Sequence, residues 1–303
     1  MDTRELQLFL SLSETLHFGQ TGEALHISAS AVSRTIKRME LEVGHRLLER
    51  DNRSVRMTEV GRQFQAYASG ALGQWQSFRE STALDSQHLR GQISLFCSVT
   101  AAYSVLSPVL EPFRHRYPDI DIKLRTGDQA DAIDHLLTGQ DDVAIVARPD
   151  KLPPRLNFEV LTHSPLLFIG PAMDCAVARK ISPLLERGVA VPWGDIPFVV
   201  SERGLARTRL DQWFRSQGAK PDIYAQVSGH EAIVSMVGLG FGLGVVPELV
   251  LNNSPLKENV RVLEVKPALT AFAVGVSASQ QRLENPLVKA FWDCARASYR
   301  SDF

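Results

Sequence analysis

Over roughly the first 88 residues the hydrophobic positions recur at helical spacing, interrupted only by short turns. Leu6, Phe9, Leu10 and Leu16 fall on one face of a first helix, with Thr3 placed to cap it. A short second helix is predicted over 18–25. Ser28 then stands before a third, in which Val32, Ile36, Met39 and Val43 recur at spacings of 4, 3 and 4 and so share a buried face. Ser30, Ser33, Arg34 and Lys37 lie on the opposite face. That outward face offers two hydroxyls and two cations without an acid. Leu41 also points outward, and nothing in the pattern accounts for it.

After Gly44 the chain reads as a two-stranded hairpin, with Asp51-Asn52 near its tip and Arg50, Arg53 and Arg56 along it. Thr58 caps a long helix reaching to about residue 84, roughly 40 Å at about 1.5 Å per residue. Phe64, Ala68, Ala71, Trp75, Phe78 and Thr82 keep heptad spacing along it. A lone helix would leave Trp75 and Phe78 in water, so a partner helix is expected, with Phe64, Ala68, Ala71, Trp75 and Phe78 as a dimerisation seam.

From Gly91 the pattern changes. Short apolar runs at 93–97, 120–124, 143–147, 198–200, 224–227 and 243–246 alternate with helical stretches, as in an α/β domain with parallel strands. Stretches near 161–169 and 271–276 are expected to cross between two such units. A final helix with Leu287, Phe291 and Trp292 is expected to return to the first. The first proline is Pro108, so all sixteen fall in the last two thirds and mark the change of architecture. The expected domains are 1–62 and 91–303, joined by a linker and dimerisation helix over 58–88. Within the second, lobe I covers about 91–161 and 270–303, and lobe II about 162–269.

In α/β units ligands bind at the carboxyl ends of strands, beside helix N-termini whose free N–H groups favour anions. Ser98, Val99, Thr100, Thr126, Gly127, Ala147, Ser201, Ser228 and His230 occupy such ends. Singly, each hydroxyl reads as an ordinary helix cap. Together they form a ring of donors suited to a small polar anion.

Composition narrows the function. With 44% hydrophobic and 22% charged residues the chain is globular, neither disordered nor collagen-like. No apolar run approaches the roughly 20 residues of a membrane helix, and the N-terminus carries acids where a signal peptide is basic. Cys97, Cys175 and Cys294 are far apart and offer neither a disulfide framework nor metal spacing, which fits a cytoplasmic protein. No Gly-x-Ser-x-Gly elbow or zinc cluster is present. The glycine run 238–244 follows a helix and precedes a strand, the reverse of a dinucleotide loop. No enzyme activity, metal or cofactor is expected. The net charge of −1 argues against a nucleic-acid partner, but it hides a polarity: residues 1–28 carry −3 and residues 29–62 carry +3.

The order Phe9, Phe18, then Leu25-His26-Ile27-Ser28-Ala29-Ser30-Ala31-Val32-Ser33-Arg34-Thr35-Ile36, Met39-Glu40, Val43-Gly44, Leu47-Leu48, Arg50 and Thr58-Glu59-Val60-Gly61 resembles the LysR-type transcriptional regulators. The resemblance covers the whole chain. It implies a winged helix-turn-helix and long linker helix, followed by a two-lobed effector domain like a periplasmic binding protein. It places Ala29, Ser30, Ser33, Arg34 and Lys37 in the major groove of double-stranded operator DNA, and Arg50, Arg53 and Arg56 on its backbone or minor groove. It also implies a homodimer or homotetramer and contact with RNA polymerase. Further strings, Phe96 to Ser104, Lys123 to Asp128, Gly229 to Met236 and Asn252 to Pro255, resemble family members that activate isoleucine and valine synthesis. For those, the implied effectors are acetolactate and acetohydroxybutyrate. Two departures matter. Thr21-Gly22 stands where the family has two alanines, and a helical glycine costs about 1 kcal/mol against alanine, so a looser or differently packed helix is expected. Ala29 stands where a glutamine could read adenine, which alanine cannot.

Overall fold

The computed structural model describes residues 1–50, 55–82, 89–186 and 191–300. The chain divides into two compact units, Met1–Leu89 with His135–Asp141, and Arg90–Asp134 with Asp142–Phe303.

The first unit begins with helices α1 (Thr3–Thr15), α2 (Phe18–Ala24) and α3 (Ala29–Val43). The hairpin β1 (Leu48–Arg50) and β2 (Val55–Met57) follows, then α4 (Glu59–Thr82). Local chemistry sets each boundary. Asp2, one residue before the expected cap Thr3, caps α1 in a reciprocal box with Glu5. The Ser28 hydroxyl accepts from the Ala31 amide at 3.2 Å and starts α3, and Gly44, left-handed at φ +77°, ends it. One Glu40 oxygen accepts from the Leu47 and Leu48 amides at 3.0 and 3.1 Å and ties the hairpin to α3. Phe9, Leu12, Val32, Ile36, Met39, Leu47 and Leu48 form the core.

Helix α2 is not loosened by Gly22. The glycine is buried, and a Cβ there would lie 2.6 Å from the Ile27 carbonyl oxygen. The turn into α3 closes directly on it, so the missing side chain makes room for backbone.

The seam expected along α4 needs a correction. Phe64 and Ala68 are buried within their own unit, with the Phe64 ring edge-on to Phe9 at 4.9 Å. Ala71 packs partly against the same core. A heptad stripe and an intrachain core face have the same spacing, and here α1 already covers the first half. Trp75, 48% exposed, lies beyond that core. The Phe78 side chain lies outside the described residues.

The second unit is two five-stranded sheets built to one plan. The first lobe uses β3 (Gly91–Cys97), β4 (Ile120–Thr126), β5 (Val143–Ala147), β6 (Leu156–Ser164) and β12 (Phe272–Ser279), ordered β4-β3-β5-β12-β6. The second uses β7 (Leu166–Pro171), β8 (Pro197–Ser201), β9 (Asp222–Val227), β10 (Leu243–Pro247) and β11 (Val260–Leu263), ordered β11-β7-β10-β8-β9. In each, a central strand (β3 or β8) pairs in parallel with the two strands that follow it. The chain therefore turns to opposite sides after β3 and after β8. The crevice that opens at such a reversal is where α/β sheets take ligands.

The connections differ in detail from expectation. The chain changes lobe at Pro165, between β6 and β7, and returns over 264–271. Residues 271–276 are not a crossing: nearly all lie in β12, which pairs with both β5 and β6.

Helices fill the faces. Val99–Ala101 (α5) runs through a π-helical stretch, Ala102–Leu106, into α6 (Ser107–Arg116). After α7 (Ala132–Leu137) and α8 (Ala176–Glu186) come α9 (Leu205–Ser216), α10 (His230–Gly238), α11 (Glu248–Asn252) and α12 (Pro286–Arg300). Helix α12 belongs to the first lobe, where Phe291 meets Phe113 edge-on at 5.2 Å. Phe168, Trp193, Trp213, Phe198 and Phe214 fill the second lobe. The glycine run is explained by proximity: a Cβ at Gly244 would lie 2.4 Å from an Ile233 methyl, so glycine lets β10 lie against α10.

Candidate nucleic-acid interface and effector cleft

On α3 the buried face holds Val32, Ile36 and Met39, which turns the opposite face outward. Ala29, Ser30, Arg34 and Lys37 are exposed and Ser33 is half-buried. Among the described residues neither Arg34 nor Lys37 has an ion-pair partner. Arg38 behaves differently, because its guanidinium pairs with the buried Glu5 of α1. The acid-free run 34–38 is thus two outward cations and one structural cation. Arg56 is exposed on β2. Arg53 and the Arg50 side chain lie outside the described residues.

In the second unit a cleft of about 430 Å³ opens between the two sheets at the carboxyl ends of their parallel strands. Ser98, Val99, Thr126, Gly127, Ala147, Ser201, Ser228 and His230 line it, as do Asp128, Arg203 and Glu231. Thr100 stands apart. It is buried outside the lining, and its hydroxyl donates to the Glu231 carboxylate of the other lobe. The expected ligand donor is therefore a tie between lobes.

The two walls differ. In the first lobe the helix starts are capped by side chains: Ser98 accepts from the Ala101 amide at 3.3 Å and Asp128 from the Ala130 amide at 3.0 Å. In the second, α9 and α10 start at Gly204 and Gly229, with no side-chain cap. Their first N–H groups stay available beside the cleft. His230 begins α10; its Nε2 is buried without a hydrogen-bond partner, and burial lowers the ring's pKa below the usual histidine value. The ring is therefore neutral near pH 7. Cys97, at the end of β3, is pushed up to about 11 by burial and remains a thiol.

Arg203 and Glu231 are the residues that strand-end reasoning missed. The signal was present: Arg203 follows Ser201 by two positions, in the turn that precedes α9. That turn has the same place in its lobe, after the central strand, as Ser98 has in the first.

The N-terminal residues 3–62 match the family model "Bacterial regulatory helix-turn-helix protein, lysR family", and residues 86–300 match "LysR substrate binding domain". The chain belongs to the LysR family. Among LysR relatives, the HTH-type transcriptional regulator IlvY of Escherichia coli K12 is 43% identical over 296 residues, covering 96% of this chain and 98% of that protein. The activator IlvY of Haemophilus influenzae is 40% identical, covering 96% and 99%. The crystal structure of CbnR, a LysR family transcriptional regulator, superposes with a TM-score of 0.67 at 17% identity, covering 99% of each chain. The fold is thus a LysR fold along the whole chain: a winged helix-turn-helix with its long helix, then two lobes arranged as in periplasmic binding proteins. No helix among the described residues is long and apolar enough to cross a membrane.

Proposed function

We propose that this LysR-family regulator is a cytoplasmic, homo-oligomeric activator of an isoleucine–valine synthesis gene, and that it responds to an acetohydroxy acid held in the cleft. The observation that carries the reading is the 40–43% identity to IlvY regulators over nearly the full chain. The cleft chemistry supports it. Acetolactate and acetohydroxybutyrate carry a carboxylate, a hydroxyl and a keto oxygen, and the lining offers hydroxyls, free helix N–H groups, a neutral imidazole and a guanidinium. A cleft of this size suits a small ligand.

On the DNA side, α3 enters the major groove through Ala29, Ser30, Ser33 and Arg34, with Lys37 one turn on. Arg34 is placed to reach a guanine edge, and the serines reach bases or phosphates. Arg50, Arg53 and Arg56 of the wing hold the backbone. The effector acts by binding one arrangement of the lobes better than another, which shifts the DNA-bound states and contact with RNA polymerase.

The test is a gel shift on the DNA upstream of this protein's own gene, with and without acetolactate. Specific retention and a changed footprint with effector are expected. Retention no better than on random DNA at the same salt would remove the regulatory assignment.

A further inference from the structure

The cleft contains one full cation, and it is already occupied. Among the described lining residues Arg203 is the only lysine or arginine. Its guanidinium reaches across from the second lobe to Asp131 of the first, with Nη1 2.7 Å from Oδ1 and Nη2 3.0 Å from Oδ2. Two parallel contacts to one carboxylate are the geometry an arginine offers a carboxylate ligand. Asp128 stands further off, 3.6 Å from Nε, and accepts from the Ser228 hydroxyl at 3.2 Å. Asp131 itself does not line the cleft, so the pair spans its rim. The buried, unpartnered Nε2 of His230 lies in the same cleft wall as Arg203.

We propose that Asp131 is a placeholder, and that a bound effector's carboxylate takes Arg203 from it. This rests on the reading of the cleft as a site for a small hydroxy acid. One carboxylate replaces another on the same guanidinium, so no new charge has to be buried unpaired. The exchange also breaks a tie between the lobes, which gives the effector the different affinity for two arrangements that any switch requires. His230 Nε2 then serves an uncharged oxygen of the ligand. The occupant is a monocarboxylate with a neutral hydroxyl or keto group. A dicarboxylate would set its second charge against Asp128 or Glu231, which both line the same space.

The experiment is calorimetry on the full chain with acetolactate, acetohydroxybutyrate and lactate, using wild type, Asp131→Asn, Arg203→Gln and the double variant. Asp131→Asn frees the guanidinium from an exposed, weakly held partner and is expected to tighten binding by up to about 5-fold. Arg203→Gln is expected to weaken it at least about 10-fold. In the Arg203→Gln background Asp131→Asn is expected to change nothing, because its effect passes through Arg203. Arg203→Lys replaces Arg203→Gln if that variant does not fold; it keeps the charge without the two-point geometry and is expected to bind more weakly than wild type. If wild type binds an acetohydroxy acid and Asp131→Asn binds it equally or more weakly, or neither Arg203 substitution weakens binding, the placeholder is overturned and the proposed function stands. If wild type binds only lactate and the variants behave as expected, the placeholder stands and the proposed effector falls. Binding of none of the three overturns both.

Discussion

Arg34 and Arg38 sit four residues apart on one helix, yet they do different work. Arg38 is engaged by the buried Glu5 and so ties α3 to α1, whereas Arg34 faces solvent and is free to meet a base edge. Arg34→Ala is therefore expected to leave the melting temperature near wild type and to cost about 1–3 kcal/mol of operator affinity in a titrated gel shift. Unchanged operator affinity would take α3 out of the groove. His230 supports a second residue-level prediction. Its ring binds a proton less readily in the folded chain than the unfolded value of about 6.5, so its contribution to stability is full above that pH and is lost as the pH falls below it. Urea midpoints should fall between pH 7 and pH 5, and the fall should be smaller in His230→Gln. Equal slopes for the two proteins would mean that other groups set the acid sensitivity.

Helix α4 is the element whose sequence pattern was ambiguous. Spacings of 4 and 3 describe a coiled-coil seam and the buried face of a packed helix equally well. The structure divides the stripe, with Phe64 and Ala68 in the core of their own unit and Trp75 beyond it. Phe64→Ala is expected to cost about 3–5 kcal/mol in urea unfolding, as for other buried aromatics. Trp75→Ala should leave that transition in place and lower the oligomer stability seen by analytical ultracentrifugation. If Phe64→Ala dissociates the oligomer without destabilising the fold, the division of labour along α4 is wrong. The strands were more legible. β5 and β10 are apolar at nearly every position because both faces are covered, whereas edge strand β4 carries exposed Asp121 and Lys123. The crossing at Pro165 falls inside the stretch 161–169 expected to cross, whereas the 264–271 return was less legible, because a lobe change needs only a break in pairing and leaves no periodicity.

For the whole molecule, a net charge of −1 and a local excess of +3 over residues 29–62 describe a protein that does not hold DNA by bulk charge. In the proposed homo-oligomer, binding would then depend on two copies reading half-sites in phase. Inserting about 5 base pairs between half-sites should abolish cooperative retention, and about 10 should restore most of it, because the second site returns to the same face of the duplex. Retention that ignores the spacing would argue for independent monomers.

Taken alone, the sequence determined the helix-turn-helix, the parallel strands at the centre of each lobe, and part of the cleft lining. These follow from local periodicity, from caps such as Ser28 and Ser98, and from the rule that parallel strands present ligands at their carboxyl ends. Only the tertiary structure decided which side chains are already engaged. Thr100 is taken by Glu231, Arg38 by Glu5, Phe64 by Phe9 and Arg203 by Asp131, in each case by a residue distant in sequence. Spacing along a chain states what a side chain can offer. What remains on offer depends on partners that only folding brings within reach.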